Sequence, residues 1–138
     1  AYYDGTPYEK EQDIFGGRHD WYYSDSYRVI ANIGLDYEWF AADEWNVENN
    51  NKVQKFFCET HKDEEFKIYE IDGTVIEQPA LHPVATNAQA SLAANGPYAK
   101  ECVERFWNTP LRKGERRYYD NCLYLFALLA LSGNYRIY

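Results

Sequence analysis

The longest apolar run of the chain, CLYLFALLAL at residues 122–131, most strongly restricts the folds that this sequence allows. The run is too short to cross a bilayer, because a membrane-spanning helix needs about 20 consecutive apolar residues. A helix that is apolar on every side is typical of a position inside a protein core. The sequence therefore predicts a helix buried on all sides by other elements, and no membrane partner.

Helical periodicity and terminal signals predict four further helices. In the second of them, Asn50 is expected on a polar, outward face opposite Phe57, so that this helix is half-exposed. In the third, Thr86 is expected to be the N-cap of a short alanine-rich segment. The four helices are predicted over residues 25–42, 44–59, 86–95 and 97–109.

A β-hairpin is predicted between the second and third helices. The dipeptide Asp72-Gly73 joins two short β-type runs, and it is the strongest short-range hairpin signal in the chain. We expect this hairpin on the surface of a helical fold. Five helices with one hairpin make an odd complete bundle, but they are a sensible half of a toroid built from helical hairpins.

Composition narrows the partners that the chain can have. The formal net charge is −8, which argues against nucleic acid, because phosphates require a basic face. An acidic enzyme with a neutral substrate is compatible with this charge. The 14 tyrosines, seven phenylalanines and four tryptophans indicate either a large aromatic core or a cleft in which rings stack on sugars.

Cysteine and histidine spacing predicts no cofactor and no metal site. Cys58, Cys102 and Cys122 lack the spacing of metal ligands, and they are expected to be reduced core residues of a cytoplasmic protein. His19 and His61 match no ligand pattern either. The sequence contains no glycine-rich phosphate loop, no activated serine motif and no dinucleotide fingerprint.

The stretch WYYSDSYR at residues 21–28 places one carboxylate, Asp25, at the start of the first predicted helix. Aspartate is a favoured N-cap residue, because its side chain accepts a hydrogen bond from a free backbone N–H. A carboxylate surrounded by aromatic residues can equally be a catalytic group. The residues alone favour the cap and leave catalysis open.

Four motifs together resemble the carboxyl-terminal part of glycoside hydrolase family 8, and in particular its reducing-end xylose-releasing exo-oligoxylanases. The resemblance covers nearly all 138 residues. It implies that residues 1–138 are the carboxyl-terminal half of one (α/α)6 barrel, an all-α fold, which hydrolyses β-1,4-xylo-oligosaccharides with inversion. The motifs are SDSYRVIANIGLD, ALHPVATNA, RFWNTPL and RRYYDNCLYLFALLALSGNYRIY.

The same resemblance implies roles for individual residues. Asp25 matches the general base of the family. From helical spacing, Arg28 lies one turn from it and would orient it or keep it ionised, although an ordinary surface ion pair is an equal alternative. From its position just before the base, Trp21 would line a sugar subsite or pack in the core. Tyr119 resembles an aromatic residue on the leaving-group side. His82, in a kinked loop with Leu81 and Pro83, would block the cleft and bind the reducing-end hydroxyl.

The family's general acid is a glutamate of the amino-terminal half, and the motif around it is absent from this sequence. We therefore expect the chain alone to be inactive and its partner to be that half of the barrel. Two alternatives stay open. An endo-acting xylanase of the same family would release longer products, and a non-catalytic all-α binding module would bind oligosaccharide without the other half.

Overall fold

A computed structural model describes residues 2–10, 17–23, 25–60, 62, 65–79, 82–115 and 117–137, without the side chains of residues 77–79 and 82. Within these ranges it contains five α-helices and one two-stranded hairpin, so the prediction of a helical fold with a small inserted hairpin is confirmed. The elements are α1 (Ser26–Phe40), α2 (Glu44–Thr60), β1 (Lys67–Tyr69), β2 (Val75–Pro79), α3 (His82–Ala90), α4 (Ala99–Asn108) and α5 (Arg117–Leu131).

Helix α3 is the centre of the fold, because it packs against α1, α4 and α5. Every residue from 83 to 90 is buried. Small side chains such as Ala88 and Ala90, both 0% exposed, let the neighbouring helices approach closely. Alanine also has the highest helix propensity, so the same residues favour the helix and allow the packing around it.

The start of α3 differs from its predicted position. The helix begins at His82, and Thr86 lies inside it, buried, with its Oγ1 3.4 Å from the carbonyl oxygen of Pro83. The prediction that Thr86 is the N-cap is therefore wrong. Pro83 explains the earlier start, since a first-turn amide has no partner within the helix and proline needs none there.

Helix α2 is attached to α3 by buried amide side chains. Asn50 is 0% exposed, and its Nδ2 donates to the carbonyl oxygen of Ala90 at 3.1 Å. One turn further on, Gln54 Nε2 donates to the carbonyl oxygen of Asn87 at 2.9 Å. The prediction that Asn50 lies on the polar face is wrong, because it satisfies a carbonyl at the end of α3, where intrahelical donors are missing.

The hairpin forms at the predicted dipeptide. Gly73 has a φ of +91°, and the N–H of Thr74 donates to Asp72 Oδ1 at 2.9 Å. The predicted surface position is wrong for β1, since Ile68 and Tyr69 are 3% and 1% exposed. These residues are covered by aromatic side chains from α2 and from the segment that precedes α1.

Helix α5 is the predicted apolar helix, but it is not buried on all sides in this chain. Leu123, Ala127 and Ala130 face the core, whereas the opposite side is bare. The prediction of complete burial is therefore wrong for the part of the chain that the structure describes. None of the described helices has the length and apolarity needed to span a membrane. The bare side consists of Leu125, Phe126, Leu128 and Leu129, which are 37–51% exposed.

Gly34 provides a test of the contact between α1 and α3. A Cβ atom at this position would lie 2.8 Å from the carbonyl oxygen of Gln89 and 3.0 Å from Ala90 Cα. We expect Gly34→Ala to lower the free energy of unfolding by about 1–3 kcal/mol, because backbone atoms cannot yield as side chains do. Denaturant unfolding measures this, with Glu38→Ala, exposed on the same helix, as the control. Equal stability of the two variants would contradict the close contact.

Candidate active site

Asp25 lies immediately before α1, on the side of the molecule where that helix begins. Its side chain is 82% exposed and makes no capping hydrogen bond to the helix. The prediction that it caps the helix through its side chain is therefore wrong. The carboxylate is open to solvent next to the N-terminus of α1, where the helix dipole stabilises an anion.

Arg28 is the polar partner of Asp25. One helical turn separates the two residues, and Arg28 Nη2 donates to Asp25 Oδ1 in an ion pair. The Arg28 side chain is 49% exposed, so this pair contributes little to stability. Among the described residues none donates to Asp25 Oδ2, and the pair therefore fixes one carboxylate oxygen while the other stays accessible.

Tyr119, in the first turn of α5, is near enough to this ion pair for both charges to act on its phenol. Burial raises its pKa, the Arg28 charge lowers it, and the Asp25 charge raises it. The phenol is therefore protonated at neutral pH and available as a hydrogen-bond donor. Its position is fixed by the next residue, Asp120, which is buried and ion-paired with Arg112.

Trp21 lies in a different place. It lines an open cleft of about 630 Å³ between the hairpin, α2 and the amino-terminal loop, together with Tyr8, Tyr22 and Phe56. Asp25 is not among the described lining residues. Trp21 also packs against the buried side chains of Tyr27 and Ile68, as its core interpretation predicts. The structure thus places Trp21 in the aromatic cleft, whose described lining includes none of Asp25, Arg28 and Tyr119.

An acidic side chain contributes to the charge of the aromatic cleft. Asp20 lies at its wall, and Arg18 donates to both of its oxygens, from Nε at 2.9 Å and from Nη2 at 2.7 Å. These hydrogen bonds lower the pKa of Asp20. His19 also lines the cleft, 5.4 Å from Tyr8 between ring centroids. No group of three potential metal ligands occurs among the described residues, and His61 lies outside them.

A smaller cavity of about 180 Å³ lies between α1, α3 and α5, and Arg28 forms part of its wall. Asn32, Thr86 and Gln89 contribute polar atoms to its wall. None of the three was predicted as a site residue, and Thr86 was expected only as an N-cap. For Asn32 the sequence offers one indication of such a position. It lies one helical turn beyond Arg28, so the two side chains are on one face of α1.

His82 is the first residue of α3, and its side chain lies outside the described part of the molecule, as does Leu81. The backbone of His82 and Pro83 is helical, so the predicted kinked loop does not include these two residues. The roles suggested for His82 at the reducing end remain a prediction.

Comparison with known proteins identifies close relatives. No family model matches the sequence. The chain is 57% identical over 142 residues to the reducing end xylose-releasing exo-oligoxylanase of Halalkalibacterium halodurans, covering 100% of this chain and 35% of that protein. It is 45% identical over 146 residues to the enzyme of the same name from Bifidobacterium adolescentis, covering 99% of this chain and 36% of that protein.

A solved structure agrees with the sequence relatives. The structure of Rex8A from Paenibacillus barcinonensis complexed with xylose superposes with a TM-score of 0.86 and 55% identity, and it covers 100% of this chain and 36% of that chain. The protein described here thus spans about a third of the length of its relatives. In sequence and in fold, the chain corresponds to the carboxyl-terminal third of the reducing-end xylose-releasing exo-oligoxylanases.

Proposed function

We propose that this chain is the base-bearing part of an inverting glycoside hydrolase of family 8, which releases xylose from the reducing end of β-1,4-xylo-oligosaccharides. The observation that carries the proposal is Asp25, an exposed carboxylate held by Arg28 at the start of α1. Relatives that are 57% and 45% identical across essentially the whole chain are named for this activity.

In the proposed reaction, Asp25 removes a proton from a water molecule through its accessible Oδ2. The water attacks the anomeric carbon from the face opposite the leaving group, so that the configuration inverts. A protonated carboxylic acid donates to the leaving oxygen, and the two carboxyl groups stand about 6.5–9.5 Å apart to leave room for the water. The hydrogen bond from Arg28 to Oδ1 sets the direction in which Oδ2 points.

The general acid is proposed to come from the amino-terminal portion of a single (α/α)6 barrel, of which residues 1–138 form the carboxyl-terminal portion. Helices α1 and α5 both pack on α3. The bare apolar side of α5 fits further helices packed against it. The amino-terminal portion is therefore the proposed protein partner.

Substrate contacts are proposed for four residues. Arg28 and Tyr119 lie next to the base and are suited to donate hydrogen bonds to sugar hydroxyls. His82 is proposed to bind the reducing-end hydroxyl, and Trp21 to stack on a sugar ring at the edge of the aromatic cleft. The solved Rex8A structures include complexes with xylose and with an arabinofuranosyl-xylotetraose, which makes xylo-oligosaccharides the substrate class proposed here. Three free cysteines fit the proposed cytoplasmic location.

Incubation with xylotriose tests this function, after intact-mass analysis of every polypeptide in the sample. We expect no efficient hydrolysis by the chain alone, since loss of a positioned acid typically costs a factor of ~10²–10⁴ in rate. Adding the amino-terminal portion should then yield xylose and xylobiose. If this chain alone hydrolyses xylotriose efficiently, the two catalytic carboxyl groups are not divided between the two portions. If the combined portions release no products, the proposed reaction is wrong.

A further inference from the structure

Two buried cysteines face each other between the outer helices α2 and α4. Cys58 lies in the last turn of α2 and Cys102 in the first turn of α4. Their sulfur atoms are 3.6 Å apart, and the side chains are 1% and 2% exposed. Both are free thiols, so the chain contains a preformed pair of sulfur atoms in direct contact, 44 residues apart in sequence.

The hydrogen bond between the two thiols shifts their pKa values in opposite directions. The pKa of Cys58 is lowered, first by the hydrogen bond to Cys102 and also by the charge of Arg105, whereas burial and the charge of Glu101 raise it. The pKa of Cys102 is raised, first by the same hydrogen bond and then by burial. With Cys102 as the donor of the S–H···S hydrogen bond, Cys58 is the sulfur that becomes a thiolate, which is the nucleophilic form of cysteine.

Arg105 is fixed next to this pair rather than free in solvent. Its guanidinium lies 4.7 Å from the centre of the Phe66 ring, and its Nη2 donates to the carbonyl oxygen of Lys62 at 2.6 Å. Glu101 forms an ion pair with it at 3.8 Å. Arg105 is thus held by two contacts from the segment between α2 and β1 and by one from its own helix.

We propose that Cys58 and Cys102 form a reversible disulfide when the folded protein is exposed to hydrogen peroxide. A disulfide bond requires the sulfur atoms to be about 2.05 Å apart, so they must approach by about 1.6 Å. The sulfur atoms are already in contact, so no atom has to be displaced from between them.

The reaction proceeds in two balanced steps. The Cys58 thiolate attacks one oxygen of hydrogen peroxide, the O–O bond breaks, and hydroxide leaves as Cys58 becomes a sulfenic acid. Cys102 then attacks the Cys58 sulfur, the S–S bond forms, the S–O bond breaks, and the departing oxygen takes up the Cys102 proton as water. The two thiols lose two electrons, which reduce one peroxide to water.

The disulfide would connect the end of α2 to the start of α4 and close a loop of 44 residues. A cross-link of this length restricts the unfolded chain much more than the folded one, so it raises thermal stability. Phe57, next to Cys58, packs against Tyr22 and Tyr69, whose segments meet in a backbone bridge just before Asp25. The cross-link therefore lies next to the residues that support the segment of Asp25, but it uses no residue of the proposed active site.

Peptide mapping of the peroxide-treated chain under non-reducing conditions tests the proposal. We expect the peptides containing Cys58 and Cys102 to be linked, with a mass lower by two hydrogens, and dithiothreitol to restore both thiols. Cys122, on α5 and only partly buried, provides the matched control. The variant Cys122→Ser should keep the link, whereas Cys58→Ser and Cys102→Ser should lose it.

Mapping of the unsubstituted chain decides the question even if a cysteine variant does not fold. The proposal is wrong if Cys122 is oxidised while Cys58 and Cys102 are still labelled by a thiol reagent after unfolding. It is also wrong if the oxidised chain melts at the same or a lower temperature than the reduced chain. Neither result depends on hydrolysis of an oligosaccharide, so the test is independent of the proposed function.

Discussion

Replacement of Asp25 by asparagine is expected to lower the turnover of xylotriose by a factor of ~10²–10⁴, because an amide cannot accept the proton of the attacking water. The variant should be measured in an enzyme assembled from this chain and the amino-terminal portion. Folding should be unaffected. The side chain is 82% exposed and makes no capping hydrogen bond, so no described contact of the fold other than the exposed ion pair with Arg28 depends on its charge.

Asp43→Asn is the matched control for this experiment. Asp43 immediately precedes α2 as Asp25 precedes α1, and its Oδ1 accepts the N–H of Trp45 at 2.8 Å. Asparagine can make the same hydrogen bond, so the control variant should keep the full rate. If Asp25→Asn hydrolyses xylotriose at a near-normal rate, Asp25 is not the base. If both variants lose activity, the loss results from a disturbed start of the helix and not from removal of the catalytic base.

Local signals predicted the elements of this fold well. The Asp72-Gly73 turn forms because Gly73 adopts a positive φ and Asp72 accepts the N–H of Thr74, and both properties belong to the dipeptide itself. Helices α1, α2 and α4 lie within two residues of their predicted bounds for the same reason, whereas α3 begins four residues and ends five residues earlier than predicted. The information that specifies them lies within one or two helical turns of sequence.

Features that depend on distant residues were predicted less well. Asn50 is a polar residue on an apparently polar face, and only the carbonyl of Ala90, 40 residues away, makes its burial favourable. Threonine is a favoured N-cap residue, but Pro83 allows the helix to start before Thr86. The packing of α3 on α1 and α5 then buries the Thr86 hydroxyl. Tertiary contacts decided both positions against the local preference.

In the candidate site, too, local contacts could be predicted from the sequence and long-range contacts could not. The pairing of Asp25 with Arg28 follows from helical spacing and was predictable. The missing cap was not, because Asp25 has helical backbone angles, φ −66° and ψ −27°, instead of the extended ones of a capping residue. Proximity of Tyr119 to this pair arises from the packing of α5 beside α3, and sequence gives no measure of that distance. Trp21 lies in the aromatic cleft because the hairpin folds back onto the segment before α1.

The bare side of α5 leads to the second prediction with a large expected effect. Leu125 and Leu129 lie one helical turn apart and are 51% and 37% exposed. If the amino-terminal portion of the barrel covers this side, burial of the exposed part of each leucine contributes about 0.5–1.5 kcal/mol to the association. Substitution of both by glutamate removes this contribution and adds two charges that would have to be desolvated.

We therefore expect the double variant Leu125→Glu, Leu129→Glu to bind the amino-terminal portion roughly 10²–10⁴-fold more weakly, and to lose the activity that reassembly restores. Calorimetric titration of one portion into the other measures this. The control is Ile71→Glu with Leu111→Glu, two side chains that are 70% and 57% exposed on the hairpin turn and the loop before α5. The control adds the same charge elsewhere and should bind normally. An unchanged dissociation constant for the α5 variant would mean that the other portion of the barrel does not cover this helix.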